Sequence, residues 1–119
     1  MKNESIKEKS IFTQIIERYI PSNIVYEDDL MICIWDIKPK YPVHLLCITK
    51  VPYQNYQEFI DTANSNDIIR FFKQINITAK QFTREFTLIT NNGKDMGQEI
   101  FHFHVHIVGL KIKEQPVLP

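Results

Sequence analysis

Apolar positions recur along this chain at two periods, and the switches between them mark out its elements. After Ser10, a residue type that caps helices, Ile11, Phe12, Ile15, Ile16 and Tyr19 share one helical stripe. Pro21-Ser22-Asn23 ends it. Ile24-Val25-Tyr26 starts a strand, Glu27-Asp28-Asp29 makes a tight turn, and Leu30 to Asp36 returns as the second arm of a hairpin. Lys38-Pro39-Lys40-Tyr41-Pro42 reads as a loop, because proline lacks an N–H and restricts the residue before it. Val43 to Thr49 is a third strand, and residues 53–64 form a short turn or helix. Ser65-Asn66-Asp67 opens the longest periodic segment. There Ile68, Ile69, Phe72, Ile75, Ala79 and Phe82 predict a helix of about 17 residues. Phe71 falls beside that stripe and is expected to widen it towards a partner surface. Phe86 to Thr90 is a fourth strand, and Asn91 to Gln98 is a turn-rich loop.

The last periodic run, Phe101 to Gly109, is the most informative. A strand sends alternate side chains to opposite faces. His102, His104 and His106 therefore share one face, about 6.5–7 Å apart between neighbours. Phe101, Phe103, Val105 and Ile107 take the other and are expected to be buried. A helix would scatter the imidazoles. The order is helix, three strands, helix, two strands, with short turns. It predicts an α+β fold: an antiparallel five-stranded sheet with two helices.

The length of 119 residues fits one domain, placed at 11–110, with a flexible lead over 1–10 and a tail over 111–119. Fourteen basic and fourteen acidic residues cancel, which leaves no electrostatic footprint for nucleic acid or an anionic membrane. A small nucleotide could still bind locally. Cys33 and Cys47 lie in apolar runs at a spacing that matches no zinc or redox motif, as expected for buried free thiols in a reducing compartment. No apolar run approaches the roughly 18–20 residues that span a bilayer. The polar N-terminus lacks a signal-peptide core, and a soluble cytoplasmic protein is expected.

Three in-line histidines admit three readings. They could be strand residues facing water. They could hold a metal with Glu99 or Asp36 recruited, although three collinear residues cannot easily bring their nitrogens to about 2.0–2.1 Å from one ion. Or one could be a nucleophile. A neutral imidazole can attack phosphorus and form a covalent intermediate, and a pKa of about 6.5 leaves it mostly neutral near pH 7. Its neighbours would orient it and assist the leaving group. Gln98 and the loop from Asn91 could donate hydrogen bonds to phosphoryl oxygens.

The run Gln98-Glu99-Ile100-Phe101-His102-Phe103-His104-Val105-His106-Ile107 closely resembles the Q-x-x-x-H-x-H-x-H-x signature of the histidine-triad (HIT) superfamily of nucleotide hydrolases and transferases. The resemblance extends over roughly residues 11–110 and is nearest to the compact Hint-type branch, which cleaves nucleoside phosphoramidates. It implies that His104 is the nucleophile, attacking the α-phosphorus to give a nucleotidyl-histidine that water resolves. His106 would contact phosphate and leaving group, with His102 and His44 in support. Asn91 and Gln98 would lie on the phosphate side, Asp36 would accept from the ribose hydroxyls, and Phe12, Ile15, Ile34, Trp35, Ile37 and Leu46 would form the slot for a purine base. It also implies a homodimer with one sheet running across both subunits, and no cofactor.

The chain departs from the pattern at three places. Glu99 stands where some relatives carry Ser or Thr, and an unpaired carboxylate there would repel an anionic substrate, so a different leaving-group preference is expected. Ser10 and Thr13 stand near the position of a C-x-x-C zinc pair in many relatives, so no structural zinc is expected. The tail lacks the aromatic residue that in some relatives reaches the partner's site. Two classes of function follow: a hydrolase of nucleoside phosphoramidates or of dinucleoside polyphosphates, or a nucleotide-binding or scaffolding protein with incidental turnover.

Overall fold

A computed structural model describes residues 9–114. The rest of the expected lead and tail, residues 1–8 and 115–119, lies outside the described residues. Helix α1 (Ile11–Ile16) opens as expected, with the Ser10 hydroxyl accepting from the Thr13 N–H at 3.0 Å. It stops early. Arg18 adopts a left-handed backbone, φ 67°, and its guanidinium donates to the carbonyls of Ile15 and Ile16. A left-handed residue with its carbonyls satisfied ends a helix. Tyr19 therefore leaves the apolar stripe and is exposed.

Strands β1 (Ile24–Glu27), β2 (Met31–Trp35), β3 (Val43–Thr49), β4 (Thr87–Ile89) and β5 (His104–Gly109) form one sheet in the order β1-β2-β3-β5-β4, with every neighbouring pair antiparallel. The first hairpin turns on Asp28, whose carboxylate accepts from the N–H groups of Leu30 and Met31. Between β3 and β4 run two helices, α2 (Tyr56–Thr62), capped by Asn55, and α3 (Ser65–Phe82), capped by Asn64. The first lies within the segment read as a short turn or helix, so the described residues hold three α-helices where the fold class named two. The polar segment before Ser65 is a full helix because a good cap and one buried anchor, Phe59, suffice to hold it.

The pleat of β2, β3 and β5 divides the interior. Met31, Cys33, Val43, Leu45, Cys47, Val105 and Ile107 face α2 and α3. There Phe59, Phe71 and Phe103 meet with ring centroids 4.8–5.3 Å apart. Phe71, Ile75 and Ala79 repeat at four-residue steps and form the buried line of α3, while Ile69 is exposed and Phe72 is half-buried. Phe71 thus belongs to its own subunit's core and does not widen the helix towards a partner. Cys33 and Cys47 face each other across β2 and β3 as free, buried thiols with Sγ atoms 3.0 Å apart. Their mutual hydrogen bond and burial hold the Cys47 proton on well above the usual thiol range.

On the opposite face, Ile32, Ile34, Leu46 and Ile48 pack under Phe12 and Ile15 of α1. The alternation of β5 puts His104 and His106 on this side, with His106 paired to Leu46 and His104 to Ile48. The strand itself starts only at His104. Just before it, the Phe103 N–H donates to Tyr53 O, so the backbone has left the ladder, and Phe101 is half exposed instead of buried.

Replacing Phe71 with Ala should cost about 3–5 kcal/mol of stability, as for other buried phenylalanines. Ile69→Ala, on the exposed side of the same helix, should stay within about 0.5 kcal/mol. Urea denaturation of both variants measures the contrast, and similar losses from both would contradict the described packing.

Candidate active site

Helix α1 covers only part of its sheet face. Beside it a cavity of about 810 Å³ opens between α1, the loop after β2, the loop before β5, and strands β3 and β5. Phe12, Ile15, Ile34 and Leu46 form its apolar wall; His44, His104 and His106 form its polar floor. Asp36, Asn91, Gln98 and Glu99 border it too. His102 is fully buried behind it.

The proton on each imidazole follows from its neighbours. His104 Nδ1 lies 2.8 Å from the His102 carbonyl, which can only accept. The proton is therefore on Nδ1, and the Nε2 lone pair is free. His44 Nδ1 lies 3.0 Å from the Lys40 N–H, which can only donate. The His44 proton is therefore on Nε2, shared between His106 Nδ1 at 3.0 Å and Asp36 Oδ2 at 3.3 Å. His106 Nδ1 accepts, so its own proton sits on Nε2. His102 Nε2 lies 2.6 Å from the Thr49 carbonyl and Nδ1 lies 2.6 Å from Ser10 Oγ. All four rings are held below the ordinary imidazole pKa, in each case mainly by burial. His106 is pushed furthest, to about 4, by burial and then by the positive charge that His104 and His44 would carry if protonated, against the pull of Asp36. Of the four rings, His44 and His106 hydrogen-bond each other directly, and that bond between neutral rings requires the complementary tautomers.

Several residues take positions other than those expected from the sequence. The Gln98 side chain is buried and turned into the chain. Its amide donates to the carbonyls of Gln54 and Ile100 and accepts from the Gly93 N–H. No donor of that amide is left for a phosphoryl oxygen; Gln98 instead closes the loop that carries Gly93 and Gly97, both at positive φ. Asn91 lies beside Gly97, and its side-chain amide has no hydrogen-bond partner among the described residues. It is the one candidate phosphate-side amide free to donate. Trp35 borders the cavity, but its ring packs edge-on against Phe82 in the helix-side core. Ile37 sits on the rim, 86% exposed. Asp36 has one oxygen occupied by the Lys38 N–H and directs the other at His44. Glu99 is exposed at the mouth, with Lys38 and Lys40 also on the lining.

Two metal readings can be tested on donor chemistry. Asp36, His44 and His106 bring one possible ligand atom each within 4.8 Å of the others. Binding an ion at His44 Nε2 would move its proton to Nδ1, against the Lys40 N–H, so the backbone opposes it. A structural zinc at the other end of the triad fits no better. Ser10 and Thr13 offer hydroxyls, 2.6 and 3.4 Å from His102 Nδ1, where zinc prefers thiolate or imidazole.

Sequence reasoning missed the backbone and hydroxyl partners: Lys40 N–H, the Thr49 carbonyl, Ser10 and Thr13. Ser10 was legible as a helix cap. That the same hydroxyl reaches His102 depends on a contact spanning 92 residues of sequence.

Known proteins are similar to this chain over most of its length. The family model described as HIT domain matches residues 17–112. An uncharacterised HIT-like protein of Rickettsia prowazekii is 40% identical over 106 residues, covering 87% of this chain and 88% of the relative. A purine nucleoside phosphoramidase of Escherichia coli K12 is 33% identical over 108 residues, covering 86% and 87%. Among solved structures, a HIT family hydrolase from Clostridium thermocellum superposes with a TM-score of 0.79 at 38% identity, covering 93% of this chain and 98% of that one. With His104 and His106 on the open face of the sheet, His102 buried just before them and the match running through nearly the whole domain, the chain belongs to the HIT family, as a hydrolase of that family.

Proposed function

We propose that this hydrolase cleaves purine nucleoside phosphoramidates through a covalent nucleotidyl intermediate on His104. One observation carries the reading: His104 is neutral, with its proton tied to the His102 carbonyl and its Nε2 lone pair left for the cavity. In the reaction Nε2 attacks the α-phosphorus, the P–N bond of the N-protonated substrate breaks, and the amine leaves with the bonding pair. The imidazole becomes cationic, and the His102 carbonyl accepting from Nδ1–H stabilises that charge as it develops. His106 donates its Nε2–H to a phosphoryl oxygen. Water then attacks the same phosphorus, the P–N bond to His104 breaks, and the neutral ring returns while a proton passes to solvent.

The apolar wall of Phe12, Ile15, Ile34 and Leu46 suits a flat base, and Asp36 at its end suits the ribose hydroxyls. The Escherichia coli relative at 33% identity supports the phosphoramidate. Lys38 and Lys40 on the lining favour a second reading, a dinucleoside polyphosphate substrate, which Glu99 opposes. For assembly, the exposed Ile69 and Ile77 of α3 and the exposed Leu88 on the open edge strand β4 favour a two-fold homodimer. Among the described residues no helix is long and apolar enough to cross a membrane.

Turnover of adenosine phosphoramidate beside a diadenosine polyphosphate decides between the substrates. His104→Ala should lower kcat by about 10³-fold or more while still binding a nucleoside monophosphate. Near-full activity in that variant would end the reading. A chelator should leave turnover intact; loss of activity that zinc restores would establish the metal reading instead.

The pH dependence has a definite sign. All four imidazoles are held below about 6.5. The neutral forms needed for attack therefore persist as pH falls through that value. The acid limb of kcat/KM should lie below the ordinary imidazole value of about 6.5, and a limb at 6.5 or above would contradict the buried neutral triad. The unfolded chain takes up protons first, so stability should be full above about 6.5 and decline as pH falls towards the folded values. For assembly, light scattering at micromolar concentration should give about twice the 14.1 kDa of one chain; a mass near one chain would rule the dimer out.

A further inference from the structure

His102 does not line the cavity, yet its backbone carbonyl receives the proton that determines which nitrogen of His104 is free. Residue 102 lies outside the strand, so the β-ladder does not fix that carbonyl. Two anchors do. One is the Phe103 N–H on Tyr53 O at 2.6 Å. The other is the His102 ring, clamped between Thr49 O and Ser10 Oγ at 2.6 Å on each side.

The direction of each bond in the second anchor can be derived. The Thr49 carbonyl only accepts, so the ring proton is on Nε2 and Nδ1 is an acceptor. The partner of Nδ1 must then be a donor. Ser10 Oγ has one proton to give. Its oxygen already accepts from the Thr13 N–H at 3.0 Å. Two acceptors compete for its proton, Thr13 Oγ1 at 3.1 Å and His102 Nδ1 at 2.6 Å, while Thr13 Oγ1 itself stands 3.4 Å from Nδ1. The shorter contact to the ring nitrogen, which needs a donor, assigns the Ser10 proton to His102 and leaves Thr13 Oγ1 to donate to Ser10. The same hydroxyl caps α1, the helix that carries Phe12 and Ile15 over the cavity, and Phe12 packs edge-on against the rings of both His102 and His104.

We propose that Ser10, supported by Thr13, is a positioning residue for the reaction: its hydroxyl donates to His102 Nδ1, locks that ring in the Nε2–H tautomer, and so fixes the carbonyl that orients His104. The assignment rests on His104 being the attacking group, and it concerns a donor, not merely a cap. A misplaced carbonyl would let the His104 ring rotate, and small misplacements of a reacting group cost rate more than binding.

The test separates the donor from the cap. Gly caps a helix almost as well as Ser, but it has no hydroxyl to donate to Nδ1. Ser10→Gly should keep the fold and release one side of the His102 clamp. In ¹⁵N-labelled full-length protein, imidazole NMR at neutral pH should read His102 as Nε2–H and His104 as Nδ1–H in the wild type. In Ser10→Gly, the His102 Nδ1 resonance should shift as that acceptor loses its donor. With adenosine phosphoramidate, Ser10→Gly should lose about tenfold to 10²-fold in kcat with KM within about threefold. Ser10→Thr, which keeps both cap and donor, should retain the wild-type spectrum and kcat. A wild-type His102 found as Nδ1–H would overturn the proposal. So would a Ser10→Gly variant with an unshifted Nδ1 or wild-type kcat, or a loss confined to KM. The spectra need no turnover, so an inactive wild type would count against the phosphoramidate reading and leave the hydrogen-bond assignment standing on the NMR alone.

Discussion

The Thr49 carbonyl, the His102 carbonyl and the Lys40 N–H each stand 2.6–3.0 Å from a histidine ring nitrogen, and the chemistry of the site depends on their directions. A neutral imidazole has one donor and one acceptor. A backbone group fixed by the fold can only donate or only accept, so it decides which nitrogen is which. Three such decisions settle all four rings. The result is one free lone pair, at His104, beside one outward donor, at His106. Burial keeps the rings neutral, so this pattern persists over the pH range in which isolated histidines would gain charge.

The sheet makes this arrangement possible by keeping two jobs on two faces. The side towards α2 and α3 holds the aromatic trio of Phe59, Phe71 and Phe103 and carries most of the apolar burial. The other side is covered only by the short α1, which ends at Arg18 before it can close over the strands. What is left open is the cavity. Stability therefore comes mainly from residues that never meet the substrate, and the exposed face can keep polar groups that a closed core would exclude. The loop before β5 serves the same division, since Gln98 spends its amide on the backbone and leaves Asn91 and Glu99 towards the opening.

This division accounts for the departures from the expected site. A motif glutamine near a phosphate-binding loop suggests a phosphate ligand, but here its hydrogen bonds hold the loop's shape. A tryptophan next to the base slot suggests a stacking platform, yet an odd step along β2 sends its ring to Phe82.

Much of the fold was determined by the sequence alone, because period and punctuation are local properties. The apolar run from Val43 to Thr49, the alternation from His104 to Gly109, the turn at Asp28 and the cap at Ser10 depend on residues within a few positions of each other. So did the grouping of the triad on one face and the prospect of imidazole chemistry. Only the tertiary structure decided where β5 begins, which face of α3 is core, and which nitrogen of each ring bears the proton. Phe71 is buried because Phe59 and Phe103 come from two other segments to meet it. Phe101 is exposed because Tyr53 draws the backbone off the ladder before His104. His102 owes its tautomer to Thr49 and Ser10, tens of residues away in the chain. Hydrogen bonds to backbone groups carry no residue signature, so contacts of this kind become readable only once the chain has folded and brought them within reach.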